Sequence, residues 1–146
     1  MSVKQISVFL ENRPGTLEEM TESLAKNNLN IRAMSLAETK DFGIARLICD
    51  DEFEASNALK EAGFISSLTS VLAVEISDEI GALSKTLKLF AEGNINIEYM
   101  YAFREVHEKG YACMIFRVND VKAAENFLTG KGVKLLDQEE LAHASR

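Results

Sequence analysis

The sequence predicts an α+β fold made of two consecutive βαββαβ units, each with an antiparallel sheet that carries both helices on one face. Two observations lead to this prediction. An internal repeat relates the two halves of the 146-residue chain. Within each half, the apolar pattern also switches between strand and helix periodicity in the same order.

The repeat emerges when Gly15 is aligned with Gly81, an offset of 66 residues (81 minus 15), and it continues without a gap. The matched pairs are Val8 with Val74, Leu17 with Leu83, Ala25 with Ala91, Asn28 with Asn94, Asn30 with Asn96, Ile31 with Ile97 and Met34 with Met100. They fall at turns and junctions where backbone geometry restricts residue choice. We interpret the chain as a duplication, with units at residues 1–70 and 71–146.

The first strand and first helix of each half follow from apolar spacing. The strands have alternating apolar residues, Ile6, Val8 and Leu10 in the first half and Leu72, Val74 and Ile76 in the second. The helices have apolar stripes, Leu17, Met20 and Leu24 in the first half and Leu83, Leu87 and Phe90 in the second. Thr16 and Glu19 have the spacing of a capping box at the start of the first helix.

Two more strands, a second helix and a fourth strand complete each half. The first helices are expected to end near Asn28 and Asn94, with second strands beginning at Ile31 and Ile97. Third strands are predicted at residues 44–49 and 111–118, after polar loops at 40–43 and 108–110. The second helices follow the N-caps Asp51 and Asp120, carry the apolar residues Phe53, Ala58, Leu59, Ala62, Val121, Ala124 and Leu128, and end at Gly63 and Gly132. Fourth strands lie around residues 68–70 and 133–136, the tail after Gln138 has no evident role, and the whole order is the ferredoxin-like arrangement.

Charge and composition exclude several partners. A net charge of −7 would repel a phosphate backbone, so nucleic acid is not an expected partner. No segment approaches the roughly 20 apolar residues that span a bilayer, and the apolar run at residues 6–10 is shorter than the stretch expected of a secretory signal. We therefore expect no membrane association and a cytoplasmic location, where Cys49 and Cys113 stay reduced as small buried residues.

The chain offers few groups for catalysis or metal binding. His107 and His143 are its only histidines, and neither has metal-ligand spacing to a cysteine. There is no Gly-rich phosphate loop and no nucleophile elbow. The sequence therefore predicts a protein that is not an enzyme and that uses neither a metal nor a cofactor.

The first strand-to-helix turn, residues 11–17, is a candidate binding site. Pro14 and Gly15 predict a tight turn that presents the backbone N–H groups of a helix N-terminus, where an anion can bind. A carboxylate could lie there while the side-chain oxygen of Asn12 accepts from an ammonium group, so that both ends of an α-amino acid are held. The alternative is that Pro14 and Gly15 only shape the turn and Asn12 satisfies local backbone groups.

A second motif, Asn-x-Asn-Ile, occurs in register at residues 28–31 and 94–97. Asn28 and Asn94 are predicted to adopt the left-handed conformation that ends a helix. Asn30 and Asn96 stand at the start of a strand and could donate their side-chain amides to a ligand carboxylate. A purely structural role for these two residues is an equal alternative.

At these two motifs the sequence resembles the ACT domain, a regulatory module of amino-acid metabolism. The resemblance lies in residues 11–17 and 28–31 and in their counterparts 77–83 and 94–97. Two such units cover almost the whole chain, which therefore resembles a stand-alone tandem ACT protein without an attached enzyme.

The resemblance implies two units side by side, with amino acids bound at the joint between them. The contacts would come from the first turn of one unit and the start of the second strand of its neighbour. Carried over to this sequence, one site has Asn12, Gly15 and Thr16, together with Arg13 and Pro14 of the same turn, facing Asn96; the other has Asp78, Gly81 and Ala82 facing Asn30.

The second of these sites departs from the family's pattern. Ile80 stands where the first turn has its proline, and Asp78 and Glu79 place two carboxylates where the first turn has Asn12 and Arg13. That arrangement suits an ammonium group but repels a carboxylate.

The function predicted is a sensor that binds a free amino acid and is read by a partner enzyme of amino-acid metabolism or by a second copy in a homodimer. A structural adaptor subunit of a partner enzyme, with no ligand of its own, is the alternative. An acyl-phosphate hydrolase would need an arginine-lined phosphate loop, for which only Arg13 is present. An RNA-binding unit would need basic and aromatic residues on its third strand, which offers only Arg46.

Overall fold

A computed structural model describes residues 2–38, 41–103 and 110–142, and these form the predicted α+β fold. The elements are β1 Val3–Glu11, α1 Thr16–Ala25, β2 Ile31–Glu38, β3 Phe42–Cys49, α2 Glu52–Glu61, β4 Ile65–Ser77, α3 Ala82–Glu92, β5 Ile97–Ala102, β6 Tyr111–Val118, α4 Val121–Gly130, β7 Leu135–Leu136 and α5 Gln138–Ala142. The chain divides into a first unit, Lys4–Thr69, and a second unit, which contains Ser70 and the residues after it together with those before Lys4. No helix in the described ranges is long and apolar enough to cross a membrane.

The first unit has its strands in the order β2-β3-β1-β4, and β3 pairs antiparallel with both of its neighbours. The hydroxyl groups of Ser7 and Thr69 lie 3.4 Å apart across β1 and β4. The core forms where α1 and α2 cover one face of the sheet, and its buried residues include Ile6, Val8, Leu10, Met20, Leu24, Leu47 and Leu59. The predicted apolar stripe of α1 is therefore the core-facing stripe.

The second unit repeats this arrangement with the strand order β5-β6-β4-β7. Its core contains Leu72, Val74, Ile76, Phe90, Phe116, Ala124 and Leu128. Phe90 of α3 and Phe116 of β6 are the largest of these, and their ring centroids are 4.7 Å apart. Leu24 and Phe90 occupy equivalent positions of the repeat, so the same core position is filled by an aliphatic side chain in one unit and an aromatic one in the other.

The local signals at the ends of the helices are confirmed. Asn28 and Asn94 have positive φ angles of 59° and 55°, as predicted for residues that turn the chain from a helix into a strand. Asp51 and Asp120 cap α2 and α4 by accepting hydrogen bonds from the amides of Glu54 and Ala123. These contacts are short in sequence, which is why the sequence alone predicts them.

Four details predicted for the core, the strands and the tail are wrong. Phe53 does not contribute to the core, because its side chain on α2 is 65% exposed. Leu83, predicted in the stripe of α3, is 40% exposed. The strands predicted at residues 68–70 and 72–76 are one continuous strand, β4, which begins at Ile65. The tail has a structural role, since Leu141 of α5 is buried and a reciprocal capping box between Asp137 and Glu140 stabilises the start of this helix.

An ion pair that the sequence did not predict ties the start of β2 to the end of β3. The guanidinium of Arg32 donates to both carboxylate oxygens of Asp50, at 2.6 and 3.0 Å. The Arg32 side chain is only 6% exposed. In the second unit the equivalent strands use a different pair, in which Glu98 lies 3.5 Å from Arg117.

We expect Gly93→Ala to lower the free energy of unfolding by about 1 to 3 kcal/mol, the usual cost of overpacking. A Cβ atom at position 93 would lie 2.5 Å from Cδ1 of Phe127 and 3.0 Å from its Cγ, so the whole ring would have to move. Gly130→Ala is the matched control, because an added Cβ there meets no atom within 4 Å. Urea unfolding of both variants measures the difference, and an equal effect of the two substitutions would contradict this packing.

Candidate functional site

The turn between β1 and α1 places Gly15 at the N-cap of the helix, in a left-handed conformation with φ 92°. The amide of Asn12 donates to the carbonyl of Asp41 at 3.2 Å, and the amide of Arg13 donates to the carbonyl of Glu11 at 2.9 Å. No side chain caps α1. The amide of Thr16 donates to the carbonyl of Arg13 at 3.5 Å, whereas the amides of Leu17 and Glu18 keep their hydrogen-bond donors for a ligand or water.

The predicted capping box of Thr16 and Glu19 is wrong, because Gly15 occupies the N-cap position and Thr16 is the first residue of the helix. The hydroxyl of Thr16 donates to the carbonyls of Glu11 at 2.9 Å and Arg13 at 3.0 Å. Thr16 is buried. Thr16 therefore stabilises the turn from its buried side. Its hydroxyl does not cap the backbone amides at the start of α1.

The turn between β4 and α3 has the same backbone, although it lacks a proline. Gly81 is the N-cap of α3 with φ 87°, and again no side chain caps the helix. The amide of Asp78 donates to the carbonyl of Gly110 at 2.9 Å, as Asn12 does to Asp41. Ala82 is the first residue of the helix, and its amide donates a hydrogen bond to the carbonyl of Glu79 at 3.1 Å.

The strand-start asparagines of a unit lie far from that unit's own turn. In the first unit, Leu10 pairs with Gly43 near the turn, whereas Ile31, which follows Asn30, pairs with Cys49. Six residues of β3 separate these two levels, or roughly 20 Å at about 3.4 Å per residue. Asn12 and Asn30 therefore lie at opposite ends of one sheet, and one unit does not bring both motifs together.

In the second unit, Asn96 is exposed and takes part in a local backbone exchange. Its amide donates to the side-chain oxygen of Asn119 at 3.0 Å, and its carbonyl accepts from the amide of Asn119 at 3.2 Å. These bonds use the backbone of Asn96. They fix the start of β5 without using the side-chain amide, on which the predicted ligand contact depends.

Arg13 forms ion pairs with two carboxylates, and the sequence alone does not predict either pair. Its side chain lies 3.2 Å from Glu11 and 3.8 Å from Glu19, and all three are largely exposed. The first turn of α1 also carries Glu18. The positive charge expected to favour a carboxylate is thus countered locally, so the backbone amides are the main attraction for an anion at this turn.

A small cleft of about 130 Å³ opens beside this turn. It is lined by residues of the turn other than Pro14 and, across from them, by Leu36 and Gly43. The sequence alone does not predict that Leu36 and Gly43 line this cleft, because both residues are distant from the turn in sequence. They reach it only when β2 and β3 join the sheet. The cleft joins the amides at the start of α1 to an apolar wall, an arrangement that suits a small polar ligand with an aliphatic part.

Chemistry at cysteine is disfavoured by burial, which raises the pKa of both Cys49 and Cys113 to about 12 from an ordinary 9.0, with nearby Asp50 and Glu75 adding smaller effects. His107 and His143 lie outside the described residues. Within the described part of the chain, no group of three or more His, Cys, Asp and Glu side chains could hold a metal ion.

The buried thiols predict a loss of stability in alkali. Their pKa values are raised in the folded state, so their contribution is fully present below about pH 9 and is lost as the pH rises toward 12. We expect the free energy of unfolding, measured with urea, to fall less between pH 8 and pH 10.5 in a Cys49→Ala, Cys113→Ala variant than in the natural chain. The same pH dependence in both proteins would contradict this assignment.

Comparisons with known proteins agree with this fold. A family model described as an ACT domain pair matches residues 1–144. Among solved structures, the chain is similar to protein BT0572 from Bacteroides thetaiotaomicron, with 38% identity and a TM-score of 0.91 over 98% of this chain and 97% of that one. No match was found among curated proteins.

Two more distant structures share the fold. The ligand-free regulatory subunit of aspartate kinase from Thermus thermophilus has 18% identity and a TM-score of 0.64, over 88% of this chain and 90% of that one. The regulatory subunit of aspartate kinase from Thermus flavus has 16% identity and a TM-score of 0.60, over 98% and 92%. Because the family match spans nearly all of the sequence, the chain belongs to the family of ACT domain pairs, a regulatory module.

Proposed function

We propose that this ACT domain pair is a regulatory protein that binds a free amino acid at its glycine-led turns. One observation carries the proposal. The helix that follows the first strand of each unit, α1 or α3, begins at a left-handed glycine without a side-chain cap, whereas the other helix, α2 or α4, is capped by an aspartate. Each copy of the repeat thus leaves the N-terminus of its first helix without a side-chain cap.

In the proposed site the ligand carboxylate accepts hydrogen bonds from the first amides of α1, and its ammonium group donates to the side-chain oxygen of Asn12. The cleft beside the turn measures about 130 Å³, which corresponds to about four water molecules at roughly 30 Å³ each. That space suits the charged end of an amino acid. A short aliphatic side chain would lie toward Leu36.

The proposal needs two units for each complete site, because a single unit holds its turn and its strand-start asparagine at opposite ends of the sheet. Asn96 would complete the site at Asn12, Gly15 and Thr16, and Asn30 would complete the site at Asp78, Gly81 and Ala82. Binding would then change the association of units. A second copy in a homodimer, or a partner enzyme of amino-acid metabolism in the cytoplasm, would read that change.

A thermal-shift screen against the common amino acids tests this function. A ligand present at about 100 times its dissociation constant adds about 2.7 kcal/mol to the stability of a folded protein. For a chain of this size we expect the midpoint of unfolding to rise by roughly 5 to 10 °C with at least one amino acid. No shift with any of them, together with no heat in calorimetric titrations, would contradict the proposal.

An adaptor subunit without its own ligand is the second candidate, and one observation favours it. Phe9, Phe42 and Ile65 are between 53% and 71% exposed and line one cleft of the first unit. Exposed apolar side chains that lie together are typical of a protein contact surface. The adaptor would show no thermal response to amino acids but would bind a partner protein through these residues.

A further inference from the structure

A cleft of the second unit, beside the β4–α3 turn, has the size of a ligand pocket. This second-unit cleft measures about 470 Å³, within the range of roughly 300 to 1,000 Å³ for small-molecule sites. The end of β4, the start of α3, the start of β6 and the connection from α4 to β7 form its walls. Its polar side chains include Glu75, Glu79, Lys85, Tyr111 and Lys134.

Glu75 in the wall of this cleft has a carboxylate oxygen without a hydrogen-bond donor. Its side chain is 6% exposed, and Oε2 is the one buried side-chain polar atom in the described ranges that lacks such a partner. Lys134 Nζ lies 3.6 Å away, beyond the distance of a hydrogen bond. Because buried acceptors are nearly always satisfied, this atom indicates a donor that binds in the cleft.

The charges around Glu75 indicate what kind of donor that is. Lys134 is 53% exposed, so it can move away from Glu75 without losing a buried position. Lys85 adds a second positive charge to the same cleft, and Glu79 a second negative one. A ligand with both an ammonium and a carboxylate group complements this arrangement, because each of its charges meets an opposite one.

The equivalent cleft of the first unit has different side chains, so the charged groups around Glu75 are not a general feature of the fold. That cleft measures about 450 Å³ and is formed by the same elements of the repeat. Its residues Phe9, Phe42 and Ile65 stand where the second unit has Glu75, Tyr111 and Lys134. The pairing of a buried carboxylate with exposed lysines is therefore specific to the second unit.

We propose that the second-unit cleft binds a small zwitterion, whose ammonium group replaces Lys134 at Glu75 and whose carboxylate pairs with Lys134 and Lys85. The inference deepens the proposed function, since the ligand is again of the amino-acid class. Its charged contacts Glu75, Lys85 and Lys134 lie outside the glycine-led turns, so it can hold if those turns bind nothing.

Nuclear magnetic resonance titrations of the full chain test this proposal with three probes of similar size. L-alanine carries both charges, ethylammonium only the positive one, and propionate only the negative one. We expect alanine to shift the amide signals of Ser77, Tyr111 and Val133 in a saturable manner. The two singly charged probes should bind at least tenfold more weakly. Unchanged signals with alanine, or equal binding of all three probes, would overturn the proposal.

Variants then assign the binding to Glu75. Glu75→Gln keeps the shape of the side chain and should weaken alanine binding at least tenfold, because the bond to a charged acceptor is lost. Glu92→Gln is the control for an exposed carboxylate outside the cleft, at the other end of α3, and should change the affinity by less than about threefold. Wild-type affinity in Glu75→Gln would refute the assignment.

Lys134→Met provides a second test that stands even if Glu75→Gln does not fold. Removing this lysine frees Glu75 and deletes a partner of the ligand carboxylate, so ethylammonium should bind more tightly than in the natural chain while alanine loses its advantage. An unchanged preference for alanine would overturn the proposal. Gly15→Val should leave these signals responsive, which separates this site from the one at the first turn.

Discussion

Replacing Phe90 with alanine is expected to lower the free energy of unfolding by about 3 to 5 kcal/mol. Phe90 is 1% exposed and packs against Phe116 in the core of the second unit. The substitution removes the aromatic contact and leaves a cavity. The cavity does not close, because the sheet and the neighbouring elements hold α3 in place. Chemical denaturation followed by circular dichroism measures the loss.

Leu83→Ala is the matched control on the same helix. Leu83 is 40% exposed, so its truncation should cost less than about 1 kcal/mol. If the two variants were equally stable, the core-facing side of α3 would have been assigned incorrectly.

Gly15→Val is expected to reduce amino-acid affinity by roughly a hundredfold, which corresponds to about 2.7 kcal/mol. Gly15 has φ 92°, and a Cβ atom added there meets no protein atom within 4 Å. The valine side chain would therefore project into the open space around the turn and obstruct the approach of a carboxylate to the first amides of α1. A calorimetric titration with the amino acid that gives the largest thermal shift measures the loss.

Backbone strain must be separated from obstruction in this experiment, because valine is disfavoured wherever φ is positive. Gly63→Val is the matched control. Gly63 has φ 91°, belongs to the same unit and also has no atom within 4 Å of an added Cβ, but it lies at the end of α2. Both variants should lose similar stability, and only Gly15→Val should lose binding. Equal affinities in the two variants would exclude the first turn as the site.

The features that sequence predicted well are those set by a few neighbouring residues. Asn28 and Asn94 end their helices in the left-handed conformation, and Asp51 and Asp120 cap the next ones, because each depends on contacts within about four positions. The duplication added independent support, since each signal occurs twice in the same order. The fold class followed from these signals together.

The features that it missed depend on residues brought together by the sheet. The pair of Arg32 and Asp50 joins positions 18 apart in sequence, and the cleft at the first turn needs Leu36 and Gly43 from two later strands. Thr16 looked like a helix cap because its spacing to Glu19 is suitable. In the structure the neighbouring glycine occupies the N-cap position, and the threonine side chain points into the turn.

The binding of a ligand to the first amides of α1 is tested most directly by following the backbone amide signals of Gly15, Thr16 and Leu17 during a titration. The ligand should be the amino acid with the largest thermal shift, and the amide of Glu54, which Asp51 already caps, serves as the internal reference. We expect the three turn signals to shift in a saturable manner, with the dissociation constant found by calorimetry, while the Glu54 signal stays in place. Saturable binding by calorimetry with no change at Gly15, Thr16 and Leu17 would contradict the proposed site.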